Sequence, residues 1–175
     1  MRYEIDGNNI VLKEYDSFCI SETLECGQCF RFEKLGHEDY YIIAMERLLH
    51  IFNKGGDIVF ENTSETDFKN IWYNYFDFGR DYSEIKNILS SCDDTVKNAI
   101  NHAPGIRILN QDFFECLISF IISQNNRIPM IKKAVANISQ KYGKYLGEFN
   151  GNGCYSFPLP TDLVKANEAE LMECK

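Results

Sequence analysis

The rhythm of apolar and polar positions changes partway along this chain. Between residues 8 and 62 it predicts short strands at 9–14, 18–23, 28–34, 40–45, 48–53 and 58–61, split by acidic or Gly-rich turns such as Asn53-Lys54-Gly55-Gly56-Asp57. Ile10, Leu12 and Tyr15 nearly alternate, which suits an antiparallel sheet with one covered face. From residue 64 the spacing becomes helical, with helices predicted over 64–74, 82–89 and 93–102, the last stopped by Ala103-Pro104-Gly105. Strands followed by helices suit an α+β class.

The run from Gly105 to Asn126 is the most informative stretch. Asp112 precedes an apolar segment and Glu115 stands three residues on, the spacing of a capping box. Phe114, Leu117, Ile118 and Ile121 follow at i, i+3, i+4 and i+7, so that face is expected to be buried. Ser123, Gln124, Asn125 and Asn126 then break the apolar pattern, Arg127 follows, and a second helix is predicted from 128 to 142. A polar, uncharged tip between two helices is expected to face something other than the core.

Charge sharpens this. The chain carries a formal charge of -8, yet from Cys116 to Gly147 its charged residues are Arg127, Lys132, Lys133, Lys141 and Lys144, all basic. Acid is segregated away from the turn, so a polyanion can approach it in spite of the low overall pI. By itself such a cluster is commonly only a solvated helix face. No apolar run reaches the ~18 residues of a membrane span and no charged-then-apolar leader opens the chain, so a cytosolic, cytoplasmic location is expected. The seven cysteines are odd in number and scattered, as reduced thiols in a reducing compartment would be. Cys26-Gly27-Gln28-Cys29 has the spacing of a redox or zinc pair. A redox pair usually opens a helix, whereas the residues after Cys29 alternate like a strand, and only His37 and His50 are near as further zinc ligands. The simpler reading takes these cysteines as incidental, with no metal and no cofactor, and His37, His50 and His102 as surface or internally satisfied residues.

Three blocks in order resemble the 8-oxoguanine DNA glycosylases, a branch of the helix-hairpin-helix DNA repair glycosylases. They are Gly27-Gln28-Cys29-Phe30-Arg31-Phe32, then Tyr75-Phe76-Asp77-Phe78 with Asp81-Tyr82, then the run from Gln111 to Asn126. The likeness reaches from about Ser21 to the last residue. It implies that 1–107 is an N-terminal antiparallel α+β domain, its sheet similar to the TATA-binding-protein-like unit of that family, and that 108–175 starts its all-helical domain. It also implies base excision repair: recognition of 8-oxoguanine in double-stranded DNA by swinging the base out of the stack, then its removal with AP lyase activity.

The resemblance carries specific roles. Guanine N7 accepts a hydrogen bond whereas 8-oxoguanine bears a hydrogen there, so one acceptor beside N7 separates the two. The likeness puts that acceptor at the backbone carbonyl of Gly27. It makes Asn125 the residue that fills the vacated place in the stack and bonds the orphaned base, with Asn126, Arg127 and Ile128 lining or supporting the same mouth and Phe30 a further pocket or DNA contact. The family commonly has Arg where this chain has Met130, and Met has no donor for the opposite cytosine, so weaker discrimination among opposite bases is expected.

The family's Schiff-base Lys and its assisting Asp belong to a Gly-rich hairpin region later than position 175. Residues 147–153 read as a turn or loop without that hairpin's pattern, and 161–175 as one short helix and the start of another. The expectation is an N-terminal portion with no catalytic residue within it, inactive when isolated. The complete enzyme is expected to be a monomer that needs no cofactor, while apolar residues of the 113–142 helix pair would be exposed in the portion or covered by a second copy. A non-catalytic DNA- or protein-binding domain is the alternative.

Overall fold

The computed structural model describes residues 2–175. Six strands, β1 (Tyr3–Asp6), β2 (Asn9–Leu12), β3 (Phe32–Gly36), β4 (Asp39–Ala44), β5 (Arg47–Lys54) and β6 (Asp57–Glu61), form one sheet in the order β1-β2-β6-β5-β4-β3. The pairs β1/β2, β2/β6 and β5/β6 run antiparallel, with Ile10 opposite Phe60 and Phe60 opposite Ile51. The expected α+β class is therefore present. The chain forms two compact units. One comprises the residues up to Gln28, Lys34–Tyr40 and His50–Asn110; the other comprises Cys29–Glu33, Tyr41–Leu49 and Gln111–Lys175.

In the first unit the alternating strand residues Ile10, Leu12, Ile58 and Phe60 are buried. They share an aromatic core with Phe68, Phe76 and Phe78, in which the Phe60 ring lies 5.2 Å from Phe68 and 5.8 Å from Phe76, both edge-on. The predicted helix over 64–74 is a composite: α2 (Glu65–Asp67), a π turn (Phe68–Trp72) and α3 (Tyr73–Tyr75), with the Ser64 hydroxyl accepting the Asp67 N–H. The π turn contains the buried Phe68 and Trp72. Helices α4 (Tyr82–Ser90) and α5 (Asp94–His102) start at Asp81 and Asp93, whose carboxylates accept first-turn amides at 2.9 Å.

Two strand expectations are corrected. Residues 18–23 do not extend; α1 (Ile20–Glu25) occupies their place. Its capping group is remote in sequence: the buried Glu38 carboxylate accepts the amides of Ile20 at 2.8 Å and Ser21 at 3.0 Å, and Ile20, Thr23 and Leu24 are buried at helical spacing. The strand predicted at 28–34 begins only at Phe32, because the Gln28 side chain binds the backbone of another segment and holds its residue off the ladder. His50 is a satisfied histidine: its ring nitrogens lie 2.7 Å from Glu61 and 2.8 Å from Asp39.

In the second unit α6 (Phe113–Ser123) and α7 (Ile128–Tyr142) match the predicted helices. Asp112 accepts the Glu115 amide at 2.9 Å as expected, but the Glu115 side chain completes no capping box; it turns to Arg31 at 3.5 Å. The buried stripe is also rotated. Phe114, Ile118 and Ile122, at i, i+4 and i+8, pack on Ile131, Val135, Ile138 and Phe157, whereas Leu117 and Ile121 are exposed together with Phe113 and Phe120. Residues 147–153, expected as a turn or loop, are a β-hairpin of β7 (Tyr145–Phe149) and β8 (Asn152–Tyr155). Asn150 and Gly151 both have positive φ, the two-residue turn that an Asn-Gly pair favours, and Tyr145 packs edge-on against Tyr155 across the ladder. Short helices α8 (Pro160–Leu163) and α9 (Glu168–Met172) close the unit. Among the described residues no helix is long and apolar enough to cross a membrane.

Burial pushes the Glu115 carboxyl above the usual carboxylate range, and Asp112 adds to this while Arg31 opposes it. The folded state thus holds the Glu115 proton more tightly than the unfolded chain, so this group favours folding below the ordinary Glu pKa and the contribution fades as pH rises through the folded pKa. Thermal unfolding followed from pH 4 to 7 should show Tm declining more in the wild type than in Glu115→Gln; parallel curves would contradict this origin.

Candidate nucleic-acid interface

The expected site residues fall in two places, and each is built by its own local chemistry. In the first unit, Gly27 follows the end of α1 with φ +91°, a left-handed conformation that glycine adopts without strain, and it is exposed. A side chain there would meet no atom within 4 Å, so backbone conformation and not space selects the glycine. Its neighbour Gln28 is wholly engaged: Nε2 donates to the carbonyls of Thr23 and Arg107, each at 2.8 Å, and Oε1 accepts the Leu109 amide at 2.9 Å.

The strip that Gln28 binds is fixed from its other side by Arg107. This residue is 1% exposed, and its guanidinium donates to the carbonyls of Ser17 and Asp77 and to the Tyr15 hydroxyl, at 3.3, 2.6 and 2.8 Å, with the Tyr82 ring 4.3 Å away. Gly105 approaches so closely that a Cβ would collide with the backbone nitrogen and Cβ of Cys19. The Phe76 and Phe78 positions of the second sequence block lie in the core, and its Asp77 supplies a backbone acceptor to Arg107. Sequence reading missed Arg107 altogether; its only signal was a lone Arg between Ile106 and Ile108. Cys26 is exposed at the C-terminal end of α1 and Cys29 is buried, so the pair follows a helix and does not open one. Among the described residues no group of three or more His, Cys, Asp or Glu is placed to hold a metal.

In the second unit the turn between α6 and α7 divides labour between its two asparagines. Asn126 folds back: Oδ1 accepts the Arg127 amide at 2.8 Å and Nδ2 donates to the Ile122 carbonyl at 3.3 Å, while its own amide bonds Ser123 O at 3.2 Å. Ser123 and Gln124 likewise return their side chains to the Phe120 carbonyl. Asn125 has φ +54°, is exposed, and is the member of the pair without a hydrogen-bonded side chain among the described residues. The Arg127 carbonyl accepts the amides of Met130 and Ile131, opening α7 with Pro129 in its first turn and no acidic residue there. A helix start without acid attracts anions, and Arg127 and Lys133 are exposed beside it.

Ile128 and Met130 are 58% and 43% exposed, large apolar groups that a soluble surface would not favour in a cluster. Phe30 is different: it is partly buried against the Ile131, Val135 and Phe157 cluster. Arg31, from the same motif, is also internal, donating to Tyr155 O and pairing with Glu115. Lys132 lies 3.8 Å over the Phe32 ring.

The first unit is an antiparallel α+β unit whose α1 ends at a left-handed glycine, and the second contains a helical hairpin with an exposed Asn at its left-handed apex. The chain belongs to the family described as 8-oxoguanine DNA glycosylase, N-terminal domain, whose model matches residues 10–117. It is similar to an 8-oxoguanine glycosylase/lyase of Clostridium acetobutylicum solved in complex with double-stranded DNA containing cytosine opposite 8-oxoG, with TM-score 0.93 and 42% identity over 100% of this chain and 60% of that one. An N-glycosylase/DNA lyase of Arabidopsis thaliana is 29% identical over 153 residues, which is 85% of this chain and 42% of the relative. An N-glycosylase/DNA lyase of Saccharomyces cerevisiae is 40% identical over 70 residues. The chain thus spans about two fifths of the plant relative and 60% of the clostridial one.

The two asparagines should separate on mutation. Asn126→Ala is expected to lower stability by about 1 kcal/mol, the usual magnitude for a lost intramolecular hydrogen bond. Asn125→Gly keeps the left-handed backbone and removes only an unbonded amide, so urea unfolding should shift by less than about 0.5 kcal/mol. Equal losses for the two variants would show that Asn125 is structural.

Proposed function

We propose that this chain supplies the damage-reading surface of an 8-oxoguanine DNA glycosylase/AP lyase acting in base excision repair on double-stranded DNA. The observation that carries the reading is the apex of the α6–α7 turn, where the Asn126 amide is bonded to the backbone and the exposed Asn125 amide is not, within a stretch, 116–147, that holds no Asp or Glu. An amide both donates and accepts, which suits a base that has lost its partner, and the surrounding positive field suits the phosphates on either side. The membership of the chain in the family and its 42% identity to a relative crystallised on 8-oxoG DNA support the same reading. In the first unit Gly27 presents the acceptor for the N7–H of the lesion; in the second Arg127 and Ile128 flank Asn125 as further DNA contacts and Asn126 supports the turn. Phe30, half-covered by its core neighbours, belongs to the packing of the second unit more than to a DNA contact. Met130 faces solvent in the first turn of α7 and offers the opposite base no donor. The 175-residue polypeptide by itself reads the lesion and does not cut.

Binding of labelled duplexes should favour 8-oxoG over G, and Asn125→Gly should weaken binding to both. Affinity should be similar with each of the four bases opposite the lesion, and Met130→Arg should raise preference for cytosine roughly tenfold, as one gained charged hydrogen bond would. Strong cytosine preference in the wild type, or a covalent adduct with 8-oxoG duplex under borohydride, would contradict these assignments.

A further inference from the structure

The carbonyl of Gly27 can tell a hydrogen-bearing N7 from a bare one only if it keeps a fixed direction. Glycine at φ +91° has the least steric restraint of any residue, and no atom lies within 4 Å of where its side chain would be. The constraint must therefore come from the residues on either side. On the N-terminal side, Thr23 is fully buried in α1 and its hydroxyl accepts the Arg107 amide at 3.2 Å. On the C-terminal side, Gln28 reaches back to the same pair of segments, donating from Nε2 to Thr23 O and Arg107 O and accepting at Oε1 from Leu109 N. Both amide hydrogens and the amide oxygen of Gln28 are thus directed into the protein.

We propose that Gln28 is a positioning residue that sets the direction of the Gly27 carbonyl, by clamping residues 23–28 onto the 107–109 strip, and is not itself a contact to the base. The inference rests on the reading of Gly27 as the lesion discriminator. Its chemistry is specific: the clamp needs one group that donates twice to carbonyls and accepts once from an amide, and among side chains of this length only a primary amide does so. A carboxylate of the same length keeps the acceptor but sets negative charge against two carbonyl oxygens. A thioether keeps the shape and loses the bonds.

The test compares the 175-residue wild type with Gln28→Met and Gln28→Glu. Anisotropy titrations use duplexes containing 8-oxoG·C or G·C, and NMR follows the Gly27 carbonyl carbon and exchange of the Leu109 amide. The proposal expects the 8-oxoG preference to fall about fivefold in both variants while affinity for the undamaged duplex changes by less than about twofold, since phosphate contacts lie elsewhere. A merely structural Gln28 would weaken both duplexes equally and leave their ratio intact, which would overturn the proposal. If the wild type shows no preference, the discriminator reading of Gly27 fails. The clamp is then judged by NMR alone: a shifted Gly27 carbonyl and faster Leu109 exchange in Gln28→Met sustain it, and unchanged signals overturn it. Should one variant fail to fold, the other gives the same readouts.

Discussion

The buried guanidinium of Arg107 is the interaction on which the first unit depends. A charge withdrawn from water is costly unless its donors are satisfied, and here three carbonyl or hydroxyl partners and the Tyr82 ring face surround it. These partners come from the segment at 15–17, from the turn at 77 and from the start of α4. One side chain therefore draws together segments that share no local pattern. Because the backbone of the same residue receives the Gln28 amide and donates to Thr23, order in the core extends to the glycine at the surface.

The second unit uses the same device with a different residue. Arg31 is internal, bound to Tyr155 O and paired with Glu115, so the first turn of α6, the hairpin β7/β8 and the residues leading into β3 are joined through one fork of donors. Desolvation dominates at Glu115, which makes this pair more a device of register than a large source of stability. The α6–α7 turn, at the other end of α6, is held by local bonds. Polar side chains that might have solvated the apex instead cap its backbone, and Asn125 is left as the projecting group. Within the three sequence motifs, bonded and exposed residues are thus separable: Gln28, Arg31, Phe76 and Asn126 are engaged with the protein, while Gly27 and Asn125 are exposed.

The elements read correctly from sequence are those whose signals lie within one turn or one strand. The cap at Asp112, the helices over 82–89, 93–102 and 128–142 and most strands of the sheet follow from residue type and spacing. The hairpin at 145–155 has an equally local signal in Asn150-Gly151, the pair that a two-residue turn favours. The misread elements have remote causes. Nothing near residues 18–23 announces a helix whose cap is Glu38, and nothing near Asp112 shows that Glu115 prefers Arg31 to the adjacent amide.

What the sequence by itself determined is the family, the α+β class and the identity of the residues at the proposed reading surface, because motif spacing and local hydrogen-bonding chemistry are properties of short stretches of chain. What only the tertiary structure decided is which amides are bonded to the protein and which is left exposed. Gln28 and Asn126 have the same amide chemistry as Asn125, and they differ from it only in having backbone partners within reach, a matter of distances that no linear pattern records.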